Sequence, residues 1–369
     1  MDLFKTLQTL TETAGPSGSE AGVAQKIVEL WEPLADEVRQ DRMGNVVALK
    51  RGHGEGDRPR LLLAAHMDEI ALMVKQLVSY PEEEASTDAA ELAGFLRVTG
   101  VGGVDVRHLY GQQVVVHGRR ELPGILGALP KHLLPSDRPE RPYNYDELVV
   151  DTGLSLAELR EQVSVGDFVS FRQPLRRLLN ERVSGKALDN RASVAALTVC
   201  LDYLQGRQHL WDVMVVATIQ EETRLLGAFT SAYAEQPNVA VAIDVTFGKG
   251  PGAKDGTVFE LSDGPTLGLG PNVHPGVYKA LREAARALEM KVHIDPHTRA
   301  SGTDAFGLQI ARAGIPTGLV SIPLRYMHTM VETIALKDVK RSGRLLGEFA
   351  ARLDDGFLDS LARAMMEAD

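Results

Sequence analysis

Residues 60–69 read RLLLAAHMDE, and this run decides the fold. Leu61, Leu62, Leu63, Ala64 and Ala65 are apolar at successive positions, so a strand built from them has no wet face and needs cover on both sides. NVVALK at 45–50 has the same texture. Downstream of residue 187 the pattern alternates. Periodicity predicts helices over 190–205, 224–235, 276–289, 304–313 and 336–353, with strands over 212–220, 239–245, 291–295 and 315–322. That alternation predicts an α/β fold, a mostly parallel sheet flanked by helices. Upstream, Leu3, Leu7 and Leu10 recur at helical spacing until Gly15-Pro16. A second helix, with Val23, Ile27, Val28 and Leu30 on its apolar face, opens on a capping-box pattern, Ser17 with Glu20.

From 70 to 177 the texture changes. GFLRV, QQVVVHG, LPGILGA, ELVVDTG and VGDFVSF are short strand-like runs between Gly, Pro and charged turns, with helical periodicity only in LSLAELREQ. The simplest organisation is one α/β domain made of 1–69 and 178–369, interrupted by a small, mostly β domain at 70–177. PEEEASTDAAELAG, at 81–94, reads as a solvated acidic loop, and no internal repeat is visible.

At 369 residues the chain exceeds a single typical core, which suits this division. Its 40 Lys and Arg against 50 Asp and Glu give a net charge of -10, which disfavours attraction to phosphate backbones or anionic lipid. Neither nucleic acid nor membrane is therefore an expected partner. The single Cys200 lies in the apolar helical stretch ALTVCLDYL, so no disulfide forms within the chain and a buried thiol is expected. With no basic leader, no apolar h-region and no apolar run long enough to span a bilayer, a cytoplasmic location is expected.

The chemistry is read from charged residues at the ends of buried strands. LLLAAHMDE ends in His66, Asp68 and Glu69; VVATIQEE ends in Glu221 and Glu222; VAVAIDV places Asp244 near the end of another strand; GLVSIPLRYMH reaches His328. In open α/β sheets, ligands bind at the carboxyl ends of strands, so these groups can converge from distant positions. Converging carboxylates and imidazoles point to divalent metal. A lone His beside a strand is ordinarily a hydrogen-bonded structural residue, and His108, His117, His132, His209, His274, His293 and His297 read that way. His66 differs because Asp68, two positions on, shares its side of an extended chain and can reach the nitrogen not bound to metal. Adjacent acids are usually a solvated helix face, but Glu221 and Glu222 follow an apolar run, where burying unpaired carboxylates is costly. Asp189 in KALDNRAS reads equally as the cap of the helix starting near Asn190 or as a ligand, and Asp244 as a turn residue or a ligand. The inventory exceeds what one hydrolytic zinc needs. Two metals sharing one bridging carboxylate use it better, and Asp189 is the candidate bridge.

Taken together, AAHMDEIALMVK, SGKALDNRAS, VVATIQEETRLLGA, AIDVT, GPNVHPGVYKAL and SGTDAFGLQIARAGIPTGLVSIPLRYMH resemble the dinuclear-metal aminopeptidases that include the glutamyl and tetrahedral aminopeptidases. The likeness extends into the 70–177 segment through LRVTGVGGVDVRHLYGQQVVV and LPGILGALPKHLL. The resemblance implies a zinc-exopeptidase-like catalytic domain with an inserted barrel-like domain that serves assembly. It implies removal of single residues from the free amino end of a peptide. It makes His66, Asp189, Glu222, Asp244 and His328 ligands of two divalent ions, Zn²⁺ or Co²⁺ with Mn²⁺ an alternative. Asp189 would bridge, Glu221 would be general base and acid, and Asp68 would orient His66. It further implies a homo-oligomer, from a dimer to a tetrahedral dodecamer. Two departures stand out: Arg224 where the family usually has Gly, which bears on pocket shape, and the acidic loop at 81–94, which bears on oligomer contacts.

Other readings are a dinuclear deacylase or carboxypeptidase, which needs a cation for a substrate carboxylate and has Arg325 as its candidate. A glycosidase using Glu221 and Glu222 is disfavoured because neighbours in a strand point opposite ways and would not flank one glycosidic bond. A non-catalytic assembly protein is disfavoured by the full ligand set.

Overall fold

The computed structural model describes residues 1–53, 56–80, 88–90, 92–253 and 258–366, and two compact units are distinguished in it. One comprises Met1–Asp68, Leu175–Met327 and Val331–Asp369; the other comprises Glu69–Pro174 and His328–Met330.

The first unit is built on an eight-stranded sheet in the order Glu37–Gln40, Val46–Lys50, Asp212–Thr218, Arg60–His66, Val239–Phe247, Thr317–Leu324, Thr266–Leu269, His293–Pro296. Arg60–His66 sits in its middle, parallel to both neighbours, and Val239–Phe247 runs parallel to Thr317–Leu324. The all-apolar run has the cover it requires. Leu61, Leu63 and Ala65 pack into one core with Leu7, Trp31 and the helix Leu188–Leu204, while Leu62 and Ala64 pack into a second with Ala228, Ala232, Ala305 and Leu308. Successive side chains of a strand face opposite ways, so an uninterrupted apolar sequence is what a strand between two helical layers demands.

Several boundaries differ from the sequence reading. The expected capping box at Ser17 does not form: the second helix is Ala21–Trp31, Glu20 is its N-cap without a side-chain cap bond, and the Glu20 carboxylate accepts from Gly18 N and Gln220 N instead. The expected strand 212–220 ends at Thr218, because Gln220 adopts a left-handed conformation with φ 51° that strand pairing cannot continue. The helix expected over 304–313 is the shorter Asp304–Gln309. The sheet strand Thr266–Leu269, a small sheet of Arg176–Arg177, Arg182–Gly185 and Glu332–Ala335, and a final helix Phe357–Met366 had no counterpart in the sequence reading.

The second unit is a closed six-stranded antiparallel barrel in the order Ala71–Tyr80, Ala93–Val101, Val149–Asp151, Glu121–Gly127, Gln113–His117, Phe168–Phe171. Its interior takes every second residue, as in Leu122, Gly124 and Leu126 of one strand and Val114 and Val116 of the next. Closure removes the free edges that an isolated small sheet would expose. Of the acidic segment at 81–94, residues 81–87 and 91 lie outside the described residues, whereas Ala93 and Gly94 already belong to a strand.

Candidate metal centre

The centre forms where the parallel strands of the first unit end. His66 is the last residue of its strand and stands in register with Thr218, and Asp244 occupies the corresponding region of Val239–Phe247 on the other side. Asp189 reaches the same place from the first turn of Leu188–Leu204, where Asp189 and Asn190 depart from helical geometry and the peptide between them is cis. Its backbone N–H donates to buried Glu332 at 3.0 Å, and Asn190 Nδ2 donates to the Ile243 carbonyl at 3.0 Å, fixing Asp189 beside Asp244. Arg191, wholly buried, donates to the Met67 carbonyl between His66 and Asp68.

His66 is the hub. Its Nε2 lies 3.3 Å from Asp189, 3.7 Å from Glu221 and 3.9 Å from Asp244, while Nδ1, on the other edge of the ring, lies 3.5 Å from Asp68. Two groups of possible ligands share it: His66, Glu221 and Asp244, and His66, Asp189 and Glu222, each with donor atoms within 4.8 Å of one another. Five of the sequence-derived residues thus come together, and Asp68 stands behind the imidazole. Glu69 is also buried but packs with the barrel unit. His328 likewise groups with the barrel unit, where its Nδ1 lies 3.1 Å from the Gly103 carbonyl.

The electrostatics follow from crowding acids in a dry place. Burial, then the charges of Asp244, Asp304 and Glu222, push Glu221 up to about 10 against the pull of His66. Burial raises Asp244 well above the usual carboxylate range, with Asp189 adding to it. Burial works to lower the His66 pKa, but the carboxylates of Glu221, Asp189 and Asp68 outweigh it and hold the imidazole well above its ordinary value. Asp68 goes the other way. Burial opposes its ionisation, yet His66 and the Glu221 N–H keep its carboxyl below the usual range. A divalent cation suits such a set of imidazole and carboxylate donors and would offset the cost of burying the charges together.

Two contributors at the cluster itself were not read from the sequence. Asp304, buried at the start of its helix, accepts from Thr218 and has an Oδ1 with no hydrogen-bond partner among the described residues; burial pushes it up to about 6. Glu332 holds Asp189, and Asp68 does more than face His66: its two oxygens accept the backbone N–H groups of Glu221 at 3.0 Å and Glu222 at 3.2 Å. Glu221 and Glu222 lie in a short helix, Glu221–Arg224, and not in the strand expected to point them apart. Arg325, the cation a carboxypeptidase would need, donates its Nε–H to the Lys249 carbonyl.

The fold and the cluster around His66 define an α/β protein with an inserted barrel and a group of side chains that could hold a metal ion. The chain belongs to the M42 glutamyl aminopeptidase family, whose pattern matches residues 44–345. A lysyl aminopeptidase of Pyrococcus furiosus is 34% identical over 347 residues, covering 93% of this chain and 95% of the relative. The structure of a TET aminopeptidase from a marine sediment archaeon of the Thaumarchaeota superposes with a TM-score of 0.87 at 29% identity, covering 97% of this chain and 98% of that one. The Pyrococcus horikoshii TET1 peptidase, which assembles into a tetrahedron or a large octahedral shell, matches with a TM-score of 0.79 at 28% identity, over 95% of this chain and 100% of that one. The protein is accordingly a peptidase of a metal-dependent aminopeptidase family, as the resemblance implied.

Proposed function

We propose that the protein removes residues one at a time from the free amino end of peptides, with two divalent ions held by His66, Asp189, Glu222, Asp244 and His328 and with Glu221 as the proton carrier. The observation that supports this most is the arrangement about His66, with Asp189, Glu221 and Asp244 toward one ring nitrogen and Asp68 toward the other. Metal-binding histidines characteristically have a carboxylate or carbonyl on the second nitrogen. His328 fits the same rule: an Nδ1–H donated to the Gly103 carbonyl leaves Nε2 with its lone pair.

Asp189, 3.3 Å from His66 Nε2, is the proposed bridge. Bound ions would polarise the scissile carbonyl and ease deprotonation of the attacking water. Zn²⁺ or Co²⁺ suits the donors, and Mn²⁺ is an alternative. Glu221, 3.7 Å from His66 Nε2 at the edge of the cluster, would accept the proton of the attacking water and pass it to the departing amine. Asp68 would fix the His66 ring and, through two backbone N–H groups, the turn carrying both glutamates.

The 70–177 domain, corresponding to the barrel, is proposed to join copies of the chain into a homo-oligomer, from a dimer to a tetrahedral dodecamer. The assembly of the Pyrococcus horikoshii relative supports this. A cytoplasmic location is proposed from the single buried Cys200; among the described residues no helix is long and apolar enough to cross a membrane.

The test is blocking of the amino end. A peptide cleaved with a free α-amino group should not be cleaved after acetylation, since an amide nitrogen neither coordinates well nor carries charge. Equal turnover of both forms would reject the amino-end anchor.

A further inference from the structure

Glu221 and Glu222 follow a backbone turn held in an unusual way. Four successive N–H groups are each taken by a side chain from elsewhere in the first unit. Ile219 N donates to Asn45 Oδ1 at 3.0 Å, Gln220 N to Glu20 Oε1 at 3.2 Å, Glu221 N to Asp68 Oδ1 at 3.0 Å and Glu222 N to Asp68 Oδ2 at 3.2 Å. A short helix ordinarily has its first N–H groups served by one capping side chain. Here Asp68 serves the first two N–H groups of Glu221–Arg224, and two more side chains from distant segments serve the two N–H groups before them; all three side chains are buried.

Each acceptor is itself anchored. Asn45 donates to Asp41 at 2.6 Å and to Thr230 at 3.2 Å, and Glu20 Oε1 also accepts from Gly18 N at 2.7 Å. The space around the turn is closed: a Cβ on Gly227 would stand 2.4 Å from both Asn45 Oδ1 and Ile219 N. Gln220, a non-glycine residue at φ 51°, occupies a conformation that its neighbours must impose.

We propose that Glu20 and Asn45 are positioning residues for the peptidase reaction, fixing the peptide groups of Ile219 and Gln220 so that the turn presents Glu221 to the cluster around His66. This rests on the reading of Glu221 as proton carrier. Both residues bond the backbone of the turn, Asn45 at Ile219 N and Glu20 at Gln220 N, and act on the reaction only through it. Their effect passes through the backbone, where a small displacement of a catalytic group is costly to rate.

The experiment compares Glu20→Ala with Glu20→Gln in the metal-loaded enzyme, on the aminoacyl para-nitroanilide that the wild type cleaves fastest. Glu20→Ala should lower kcat by about 10- to 100-fold, with KM and bound metal little changed. Amide hydrogen exchange in a peptide spanning residues 219–224 should quicken. Glu20→Gln keeps an oxygen acceptor and should restore both kcat and the slow exchange. In a Glu221→Gln background, Glu20→Ala should add no further loss, because the group it positions is already disabled.

Wild-type kcat in Glu20→Ala would overturn the proposal. So would a loss in proportion to unfolded protein, equal damage from Ala and Gln, or an independent multiplying loss in the double variant. If Glu20→Ala does not fold, Glu20→Asp, which keeps the charge but ends one bond short of Gln220 N, carries the same expectations. Wild-type kcat in Glu221→Gln would instead remove the proton-carrier reading itself.

Discussion

Replacing Asp68 with asparagine tests the grip on the glutamate turn while leaving volume and shape almost unchanged. The carboxylate accepts from Glu221 N at 3.0 Å with one oxygen and from Glu222 N at 3.2 Å with the other, in a wholly buried position. An asparagine offers one oxygen. Its amide group then sets a donor against one of the two N–H groups, whichever way it is turned. A hydrogen bond to a charged group contributes about 1.5–3 kcal/mol, and a buried donor left without a partner costs about 1–3 kcal/mol. Partial relaxation leaves an expected loss of about 2–4 kcal/mol for Asp68→Asn. The assay is urea unfolding of metal-free protein followed by tryptophan fluorescence. Trp31 and Trp211 are both buried in the first unit, so the signal reports that unit. Metal affinity should fall as well, by about 10- to 100-fold, because a neutral amide replaces the carboxylate beside the second nitrogen of His66. A destabilisation below about 0.5 kcal/mol, the range of an ordinary surface substitution, would refute the double grip.

Glu221→Gln should keep its metal and lose rate by about 10²- to 10⁴-fold, whereas Glu222→Gln should lose metal and recover in part with added Zn²⁺ or Co²⁺. Elemental analysis of both variants decides it, and the opposite pattern would exchange their roles. Cys200, fully buried with its thiol pushed up to about 12, should not react with a thiol-specific disulfide reagent until the protein is unfolded. Rapid labelling of native protein would contradict that burial. Light scattering of the intact protein should give a multiple of the chain mass, and a monomer would remove the assembly reading.

The fold was legible where burial leaves a mark on several successive residues. RLLLAAHMDE and VAVAIDV announce central strands because both faces need cover, and the charges that end them mark the edge where the cluster forms. Thr266–Leu269 is four residues long and contains Gly268, too little to carry a period. The contributors to the site that went unread act through single tertiary hydrogen bonds. Glu20 has the sequence position of a helix cap and is occupied instead by the Gln220 N–H. Asp304 begins a helix, where an acid is commonplace, and Glu332 lies in a four-residue strand. Asn45 belongs to NVVALK, where the apolar residues that follow dominate the reading. Only the packing of distant segments gives these four residues their partners.

The position of the barrel in the chain has a consequence for synthesis on the ribosome. Arg60–His66 emerges early, yet both strands that flank it, Asp212–Thr218 and Val239–Phe247, are made only after the whole of Glu69–Pro174. The barrel pairs strands lying wholly between Ala71 and Phe171, so it can close while the larger sheet is still missing its centre. Loop-closure entropy grows only slowly with length, so the finished sheet bears little thermodynamic burden from the interruption. The burden falls on kinetics: an apolar LLLAA segment stays unpaired on the nascent chain until its partners arrive, and exposed strand-forming segments of that kind are what chaperones shield.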